Sequence, residues 1–566
     1  MTRHARSLAA RSVRAVAGAA LVAVALAGCV GIPSSGSVIV GEDLVEQDAG
    51  FEYFPLGPVA GAEPADIARG FVDAFTGSAN DYEVARQFLS DGFEAEWNPR
   101  RSVTVRNTEG RFTEVDDDTV EYSLASVATV DSAGAYRRNS EPAALVLPFD
   151  FVQENGEWRI SSADDGIVLS DITFRSLFDT HTLYFLDPEN DELVPDLRWF
   201  ATGSATQRIV TTLLSGPPPW LSGAVRTAFP EGTQLDGPSI DVQAGVADLG
   251  LTTEALSADD AERQLMQVQL TESLATVPNI RRVSLTVGGT PLISSEVSDT
   301  VPQPEPSVDS RALVEREGSV GFVSGDGVAS IGSLGEKIAD LDAVGATVAL
   351  EQGVAAVRSS SGVSLVRAGE GAATLLDTRQ SLVTPSLDDV GFVWVASQTD
   401  ASVVLAYSFD GAVTRLATGL PSDADVAAID ISRDGARILI FVESEEGTRL
   451  VVKAISRDAN ADGVPLALSE SVLDSVVSGA DALDATWVDE LTVATLSTTG
   501  SGSAVVAHTV GGDRTPLGAA PGAVALVGGN GESNLRAIDD SGMILLRSGS
   551  GWTETGVEVG FIATQR

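Results

Sequence analysis

The chain has 566 residues, too many for one hydrophobic core and enough for about three or four domains. With 43% apolar and 20% charged residues it can offset the entropy of folding, which excludes a mostly disordered protein. Lys+Arg 36 against Asp+Glu 80 gives a net charge of -44, a field that repels phosphate backbones and excludes nucleic acid as a partner. One cysteine and three histidines cannot build a disulfide framework, a His/Cys zinc site or an iron-sulfur cluster, so no resident cofactor is expected.

Arg3, Arg6, Arg11 and Arg14 precede an uncharged run from Ala15 to Ala27, the pattern of a secretion signal. It ends in Leu26-Ala27-Gly28-Cys29, which looks like a bacterial lipobox: small residues admit the signal peptidase, and the Cys29 thiol takes a diacylglycerol. Residues 1–28 are then a lipoprotein signal peptide, and Cys29 is the lipid-bearing first residue of the mature chain. A membrane-spanning helix is the competing reading, but the run falls short of the ~20 residues a span needs. Residues 29–50, with Pro33, Ser34, Ser35, Gly36 and Ser37, read as a flexible tether. Beyond it no apolar stretch is long enough to cross a bilayer, so the expected attachment is by lipid, on the extracytoplasmic face of the cell membrane.

Residues 51–178 read as an α+β domain. Ile67, Phe71, Val72 and Phe75 recur at helical spacing behind Pro64, and a second short helix is expected from Tyr82 to Leu89. Strands follow at Val103 to Arg106, Val120 to Val130, Ala143 to Val152 and Trp158 to Ser161. This order, with Ala85-Arg86-Gln87-Phe88-Leu89 and Gly156-Glu157-Trp158-Arg159-Ile160, resembles the cone-shaped NTF2-like fold. Such cones often hold a pocket, but plain core is the simpler role for the aromatic residues.

Residues 179–296 predict strands from His181 to Leu186 and Leu193 to Phe200 around the turn Asp187-Pro188-Glu189-Asn190-Asp191. A helix from Thr206 to Leu214 is stopped by Gly216-Pro217-Pro218-Pro219. A longer helix from Asp259 to Thr276 carries Leu265, Met266, Val268, Leu270, Leu274 and Val277 as its expected buried stripe, and a strand runs from Arg282 to Val287. Leu213-Leu214-Ser215-Gly216-Pro217-Pro218 and Thr227-Ala228-Phe229-Pro230-Glu231-Gly232-Thr233 are similar to the GerMN domain of bacterial envelope and sporulation proteins. Residues 297–312, with Pro302, Pro304 and Pro306, read as a semi-rigid linker.

From 313 to 566 the helical period vanishes and short strands alternate with Gly, Asp and Ser turns. Val354-Ala355-Ala356-Val357, Gly391-Phe392-Val393-Trp394-Val395-Ala396, Arg437-Ile438-Leu439-Ile440-Phe441, Leu491-Thr492-Val493-Ala494 and Leu526-Val527 recur near the ~40 residues of a propeller blade. The length suggests an all-β propeller of about six blades. Ser432-Arg433-Asp434-Gly435 resembles the turn of TolB-type propellers, although a tight turn alone accounts for its Asp and Gly.

The chain shows no nucleophile elbow, P-loop, dinucleotide fingerprint or His-Glu-x-x-His helix, and His181 and His508 fall in strands of different domains, so no enzyme activity is expected. Asp116-Asp117-Asp118 and the segment Glu443 to Glu446 read as solvated loops. Asp458-Ala459-Asn460-Ala461-Asp462-Gly463 reproduces the first half of a calcium loop, with Asp458, Asn460 and Asp462 as the ligands. Its twelfth position is Ser469 where a bidentate glutamate belongs, and a long turn between strands is the stronger reading.

Lipobox, NTF2-like region, Gly-Pro-Pro GerMN segment and propeller together resemble LpqB, a lipoprotein family of actinobacterial envelopes. The resemblance implies an accessory role for the MtrA/MtrB two-component system: engaging the extracytoplasmic domain of the sensor kinase MtrB and influencing phosphorylation of its response regulator, with effects on envelope and division physiology. An alternative of another class is a propeller that binds or cleaves cell-wall glycan, with carboxylates gathered on one face.

Overall fold

The computed structural model describes residues 54–292, 301–304, 307–325, 327–369, 371–477, 481–500 and 502–566. Leu26, Ala27, Gly28 and Cys29, with the signal segment and the tether to residue 50, lie outside the described residues.

Helix α1 (Pro64–Asp73) starts on its proline, whose missing N–H costs nothing in a first turn, and buries Ile67, Ala68, Phe71 and Val72. In α2 (Ala79–Arg86) residues Asn80, Asp81 and Tyr82 are left-handed, with φ of 48°, 60° and 62°. Arg86 holds that stretch, donating to the Asp81 carbonyl at 2.9 Å and pairing with its carboxylate at 2.6 Å. Behind the helices lie β1 (Ser102–Arg106), β2 (Arg111–Asp116), β3 (Thr119–Asp131), β4 (Tyr136–Glu154), β5 (Glu157–Ala163) and β6 (Ile167–Ser170). Their order is β5-β4-β3-β1-β6, with β2 also on β3. Val120, Tyr122, Leu124, Ala128 and Val130 all point from β3 into one core, as strict alternation requires. Trp97 is buried in that core, 5.0 Å from Phe71 and 5.8 Å from Phe75 between ring centres. The expected α+β domain forms; β2, β6 and a closing helix, α3 (Asp171–Leu177), are added to it. Ser170 caps α3 by accepting the Thr173 N–H at 3.1 Å.

The second domain opens with the hairpin β7 (Phe178–Leu186) and β8 (Glu192–Ala201), followed by α4 (Ala205–Leu214). A second sheet holds β9 (Asp241–Gln243), β10 (Val246–Leu251), β11 (Arg282–Val287) and β12 (Thr290–Pro291), in the order β12-β11-β10-β9. Strands β10 and β11 are parallel and need a crossover, which is α5 (Asp260–Leu274), started by a capping box between Asp259 and Glu262. The buried face of α5 is Met266, Gln269, Leu270, Ser273 and Leu274, whereas Leu265 and Val268 are only partly buried. The stripe therefore includes two polar residues absent from the apolar prediction. Gln269 accepts the Ala228 N–H at 3.0 Å and Ser273 accepts the Tyr184 N–H at 2.9 Å, so both are satisfied by backbone at their acceptor atoms.

The described part of the expected linker is paired at both ends. β13 (Gln303–Pro304) adds a parallel strand to β8 at Glu192 and Leu193. Val308 exchanges hydrogen bonds with the Asn530 side chain at 2.9 and 2.7 Å, and Gln565 donates to the carbonyls of Asp309 and Arg311.

The propeller has six blades. Blade 1 takes its innermost strand, Phe561–Gln565, from the far end of the sequence and its other three from Leu313–Arg316, Ser319–Ser324 and Gly327–Ser330. This closure removes an open edge from the ring. The first strands of blades 2 to 6 are Gly345–Ala349, Ser386–Leu387, Asp425–Ile431, Asp481–Trp487 and Ala523–Val527. Among the described residues blade 4 alone carries a fifth strand, Leu473–Val477, paired to Gly447–Asp458. Arg566 strengthens the closure: its buried guanidinium pairs with Asp430 and donates to Ser386 Oγ at 3.0 Å. Asp430 keeps Thr486, Trp487 and Ser386 as other donors. Arg566→Ala should therefore lower propeller stability by about 2–3 kcal/mol, less than for a carboxylate stripped of every partner. A denaturant midpoint unchanged from the parent chain would contradict that role.

Candidate functional site

Because strands within a blade are antiparallel, first-to-second and third-to-fourth connections emerge on one face of the ring. That face receives both other domains, and the residues that bring them together form the candidate site. Three contacts define it.

The first centres on Trp199 of β8. Its ring lies 5.3 Å from Tyr136 and 5.0 Å from Phe174, inside the core of the N-terminal domain. Its indole N–H donates to the Gly511 carbonyl of blade 5 at 3.0 Å. One side chain on the second domain thus touches the other two.

The second is Asp513, in the turn before the last strand of blade 5. Its carboxylate accepts Arg138 at 2.6 Å, Arg175 at 2.6 Å and the Tyr136 hydroxyl at 3.0 Å. Burial opposes ionisation of Asp513, yet the two guanidinium groups and the hydroxyl hold its carboxyl below the usual range. Burial, then the Asp513 charge, pushes the Tyr136 phenol up to about 12. Asp513→Ala should weaken docking of the N-terminal domain by on the order of 2 kcal/mol, with Asp513→Asn intermediate. Comparing protease cleavage rates of the native variants checks this; rates equal to the parent's would contradict it.

The third lies under the tip of the β7–β8 hairpin. Ala436 and Ala454 of blade 4 belong to the same apolar cluster as Leu183, Phe185 and Leu221 of the second domain. The Arg457 N–H donates to the Gly223 carbonyl at 3.0 Å. Beside it the buried Arg457 guanidinium pairs with the buried Asp388 carboxylate at 2.7 Å and donates to the carbonyls of Gly463 and Gly435. The Tyr184 hydroxyl meets Glu490 at 2.7 Å.

Several acids crowd this third contact. Burial, followed by the charges of Asp389, Asp434, Asp187 and Asp191, pushes Glu192 up to about 8. Burial and Asp388 push Asp389 up to about 7 against the pull of Arg457, and burial pushes Asp187 up to about 6. The folded state thus holds protons that the unfolded chain releases near pH 4, so stability falls as pH rises through these values. Asp513 works the other way, its contribution being lost on acidification below about pH 4. Melting temperature should therefore peak near pH 4 and decline to about pH 8, and Glu192→Gln should flatten the decline. A melting temperature that rises steadily to pH 8 would contradict this.

The residues singled out in the sequence distribute as follows. Asp458, Asn460 and Asp462 lie in the third-to-fourth strand turn of blade 4, whose Gly463 faces Val390 and Glu189. The Asp458 carboxylate accepts the Asn460 N–H at 2.9 Å, and Ser469 accepts the Ala454 N–H outside the turn. No group of three or more His, Cys, Asp or Glu placed to hold a metal occurs among the described residues. The segment connects the third and fourth strands of the blade. Ser432 and Asp434 bond to each other, and Asp434 pairs with Arg437. His181 Nδ1 faces Thr276 at 3.1 Å, and His508 Nε2 faces Thr495 at 3.1 Å, with burial and then Arg514 pushing His508 down to about 4. Asp116, Asp117 and Asp118 are exposed. The sequence reading missed Trp199, Asp513, Arg457 and the Asp388–Asp389 pair, none of which belongs to a motif.

Comparison with known proteins divides the chain in the same way. Residues 57–175 match the family model of the lipoprotein LpqB N-terminal domain. Residues 182–293 match a family described as sporulation and spore germination, and 318–560 match the lipoprotein LpqB β-propeller domain. Lipoprotein LpqB of Streptomyces avermitilis is 27% identical over 588 residues, covering 93% of each chain. That of Bifidobacterium longum is 26% identical over 456 residues, covering 76% of each. Among solved structures, the first GerMN domain of the sporulation protein GerM from Bacillus subtilis is 18% identical, covering 22% of this chain and 98% of that one, with a TM-score of 0.18. No described helix is long and apolar enough to cross a membrane. Its N-terminal and propeller domains both matching that family's models, and its relatives aligning over most of their length, the chain belongs to the LpqB family of lipoproteins.

Proposed function

We propose that this lipoprotein is held by a diacylglycerol on Cys29 at the extracytoplasmic face of the cell membrane, where it binds the extracytoplasmic domain of an MtrB-like sensor kinase and modulates its signalling. The observation that best supports this is the docking of all three domains at Trp199, Asp513 and Arg457. A partner held by one domain of such a body alters the position of the others, whereas independently hanging domains transmit nothing. The protein acts by binding and not by turnover: the acids at the junction are packed into an interdomain contact, and the described histidine rings face threonine hydroxyls.

Photocrosslinking from the propeller surface in intact envelopes tests the reading. The kinase ectodomain is expected among the captured proteins. Its absence, under conditions that capture other envelope partners, would overturn the proposal, and turnover of cell-wall polysaccharide by the purified chain would replace it with the enzymatic alternative.

A further inference from the structure

The three domains do not close completely on one another. Between them lies a cleft of about 610 Å³, within the range of small-ligand sites. Each domain contributes a wall: Tyr136 to Ser140 from the start of β4, Pro219 to Ser222 from the end of the Gly-Pro-Pro-Pro segment, and Leu468 to Ser475 with His508 to Arg514 from blades 4 and 5. The blade 4 wall includes the start of its fifth strand, so the feature that sets this blade apart also shapes the cleft.

The chemistry of the lining is specific. Ser140, Ser222, Ser471 and Ser475 present hydroxyls, and the half-buried Trp220 presents an indole. The hydroxyls of Ser456 and Ser469 donate to the carbonyls of Ala467 and Glu470. Of the acids in the lining, Asp196, Asp474 and Asp513 are paired with arginines while Glu470 is exposed. Arg138 is bound to Asp513, but the exposed guanidinium groups of Arg137 and Arg514 have no ion pair or side-chain hydrogen bond among the described residues. In a chain of net charge -44, two uncommitted cations at a hydroxyl-rich cleft with an aromatic wall are complementary to a polyhydroxylated anion. We propose that this cleft binds an anionic glycan fragment, with Arg137 and Arg514 taking its carboxylate or phosphate and the serine hydroxyls and Trp220 its sugar face. A ligand seated there touches all three domains and clamps them together. The assignment does not rest on the kinase reading, since it concerns a different partner.

Calorimetric titration of the full-length chain in detergent tests it with three probes: muramyl dipeptide for the carboxylate source, N-acetylglucosamine 1-phosphate for the phosphate source, and neutral chitotriose. One of the two anionic probes should bind at least tenfold more tightly than chitotriose, and the probe that does so identifies the source. Arg137→Ala and Arg514→Ala should each weaken that binding about tenfold, or about 1.4 kcal/mol, with the melting temperature of the unliganded chain unchanged, because both side chains are exposed and unpaired. Failure of both anionic probes to bind at ~5 mM, chitotriose binding as tightly as either, or indifference to both substitutions would overturn the proposal.

Discussion

Replacing Trp199 with alanine is expected to cost about 3–5 kcal/mol and to loosen two interfaces at once. The indole is a member of the N-terminal core although it is carried by β8 of the second domain, and its N–H is committed to the Gly511 carbonyl of the propeller. Truncation removes the ring packing against Tyr136 and Phe174 and leaves a cavity that three separate domains would have to collapse together to fill. Trp199→Phe separates the two contributions: it keeps most of the packing and loses only the hydrogen bond, for about 1 kcal/mol. Calorimetric unfolding distinguishes the variants, because Trp199→Ala should split the parent's transition into separately melting units. A single transition at the parent's temperature would show that the residue does not join the domains.

Arg457→Ala should be comparably damaging, at about 3–5 kcal/mol, for a different reason. Asp388 is buried beside the guanidinium, so removing the arginine leaves its charge with no cation, held only by the N–H groups of Gly391, Phe392 and Trp394. The carbonyls of Gly463 and Gly435 lose their donors in the same step. Replacing both members, Arg457→Met with Asp388→Asn, should recover part of the loss, because the uncompensated charge and not the missing attraction carries most of the cost. Chemical denaturation of the single and double variants provides the cycle; a double variant as unstable as the sum of the two singles would contradict the argument.

How much of this could be read from residues alone depended on how local the cause was. Strand β3 was legible because one face meets the core and the other does not, so Val120, Tyr122 and Leu124 alternate over its whole length. Blades 2 to 5 declared themselves through their second strands, Val354–Ser359, Phe392–Ser397, Arg437–Ser444 and Thr492–Thr499, which are covered on both faces and read as continuous apolar runs. In blade 6 the pattern slipped: Leu526-Val527 lies in the first strand, because the second, Arg536–Asp539, begins and ends on a charge and gives little signal. Blade 1 was hidden by distance, since Leu313 pairs with Ala563 across nearly the whole domain. On α5 the buried positions of Gln269 and Ser273 follow from backbone donors at Ala228 and Tyr184, which helical spacing cannot foresee.

The candidate site was less legible than the fold for the same reason. Asp513 is one acid among 80, and only the fold sets it before Arg138 and Arg175. Trp199 reads as an ordinary strand aromatic until the N-terminal core is seen to close over it. The Pro-rich segment suggested a semi-rigid spacer by composition, whose pairing is not encoded there: Gln303 and Pro304 extend the β7–β8 sheet and Val308 is fastened to Asn530. Composition reports what a segment could do in isolation; its partners lie hundreds of residues away.

The claim on which the rest depends is that these domains move as one body, and a distance across their junction measures it most directly. Spin labels at Asp117→Cys on the N-terminal domain and Ser360→Cys on blade 2, both exposed positions, can be read by pulsed electron resonance in the full-length chain with Cys29 retained. A single narrow distance that broadens in Trp199→Ala is the predicted result. A broad distribution in the parent chain, unaltered by that substitution, would contradict the account.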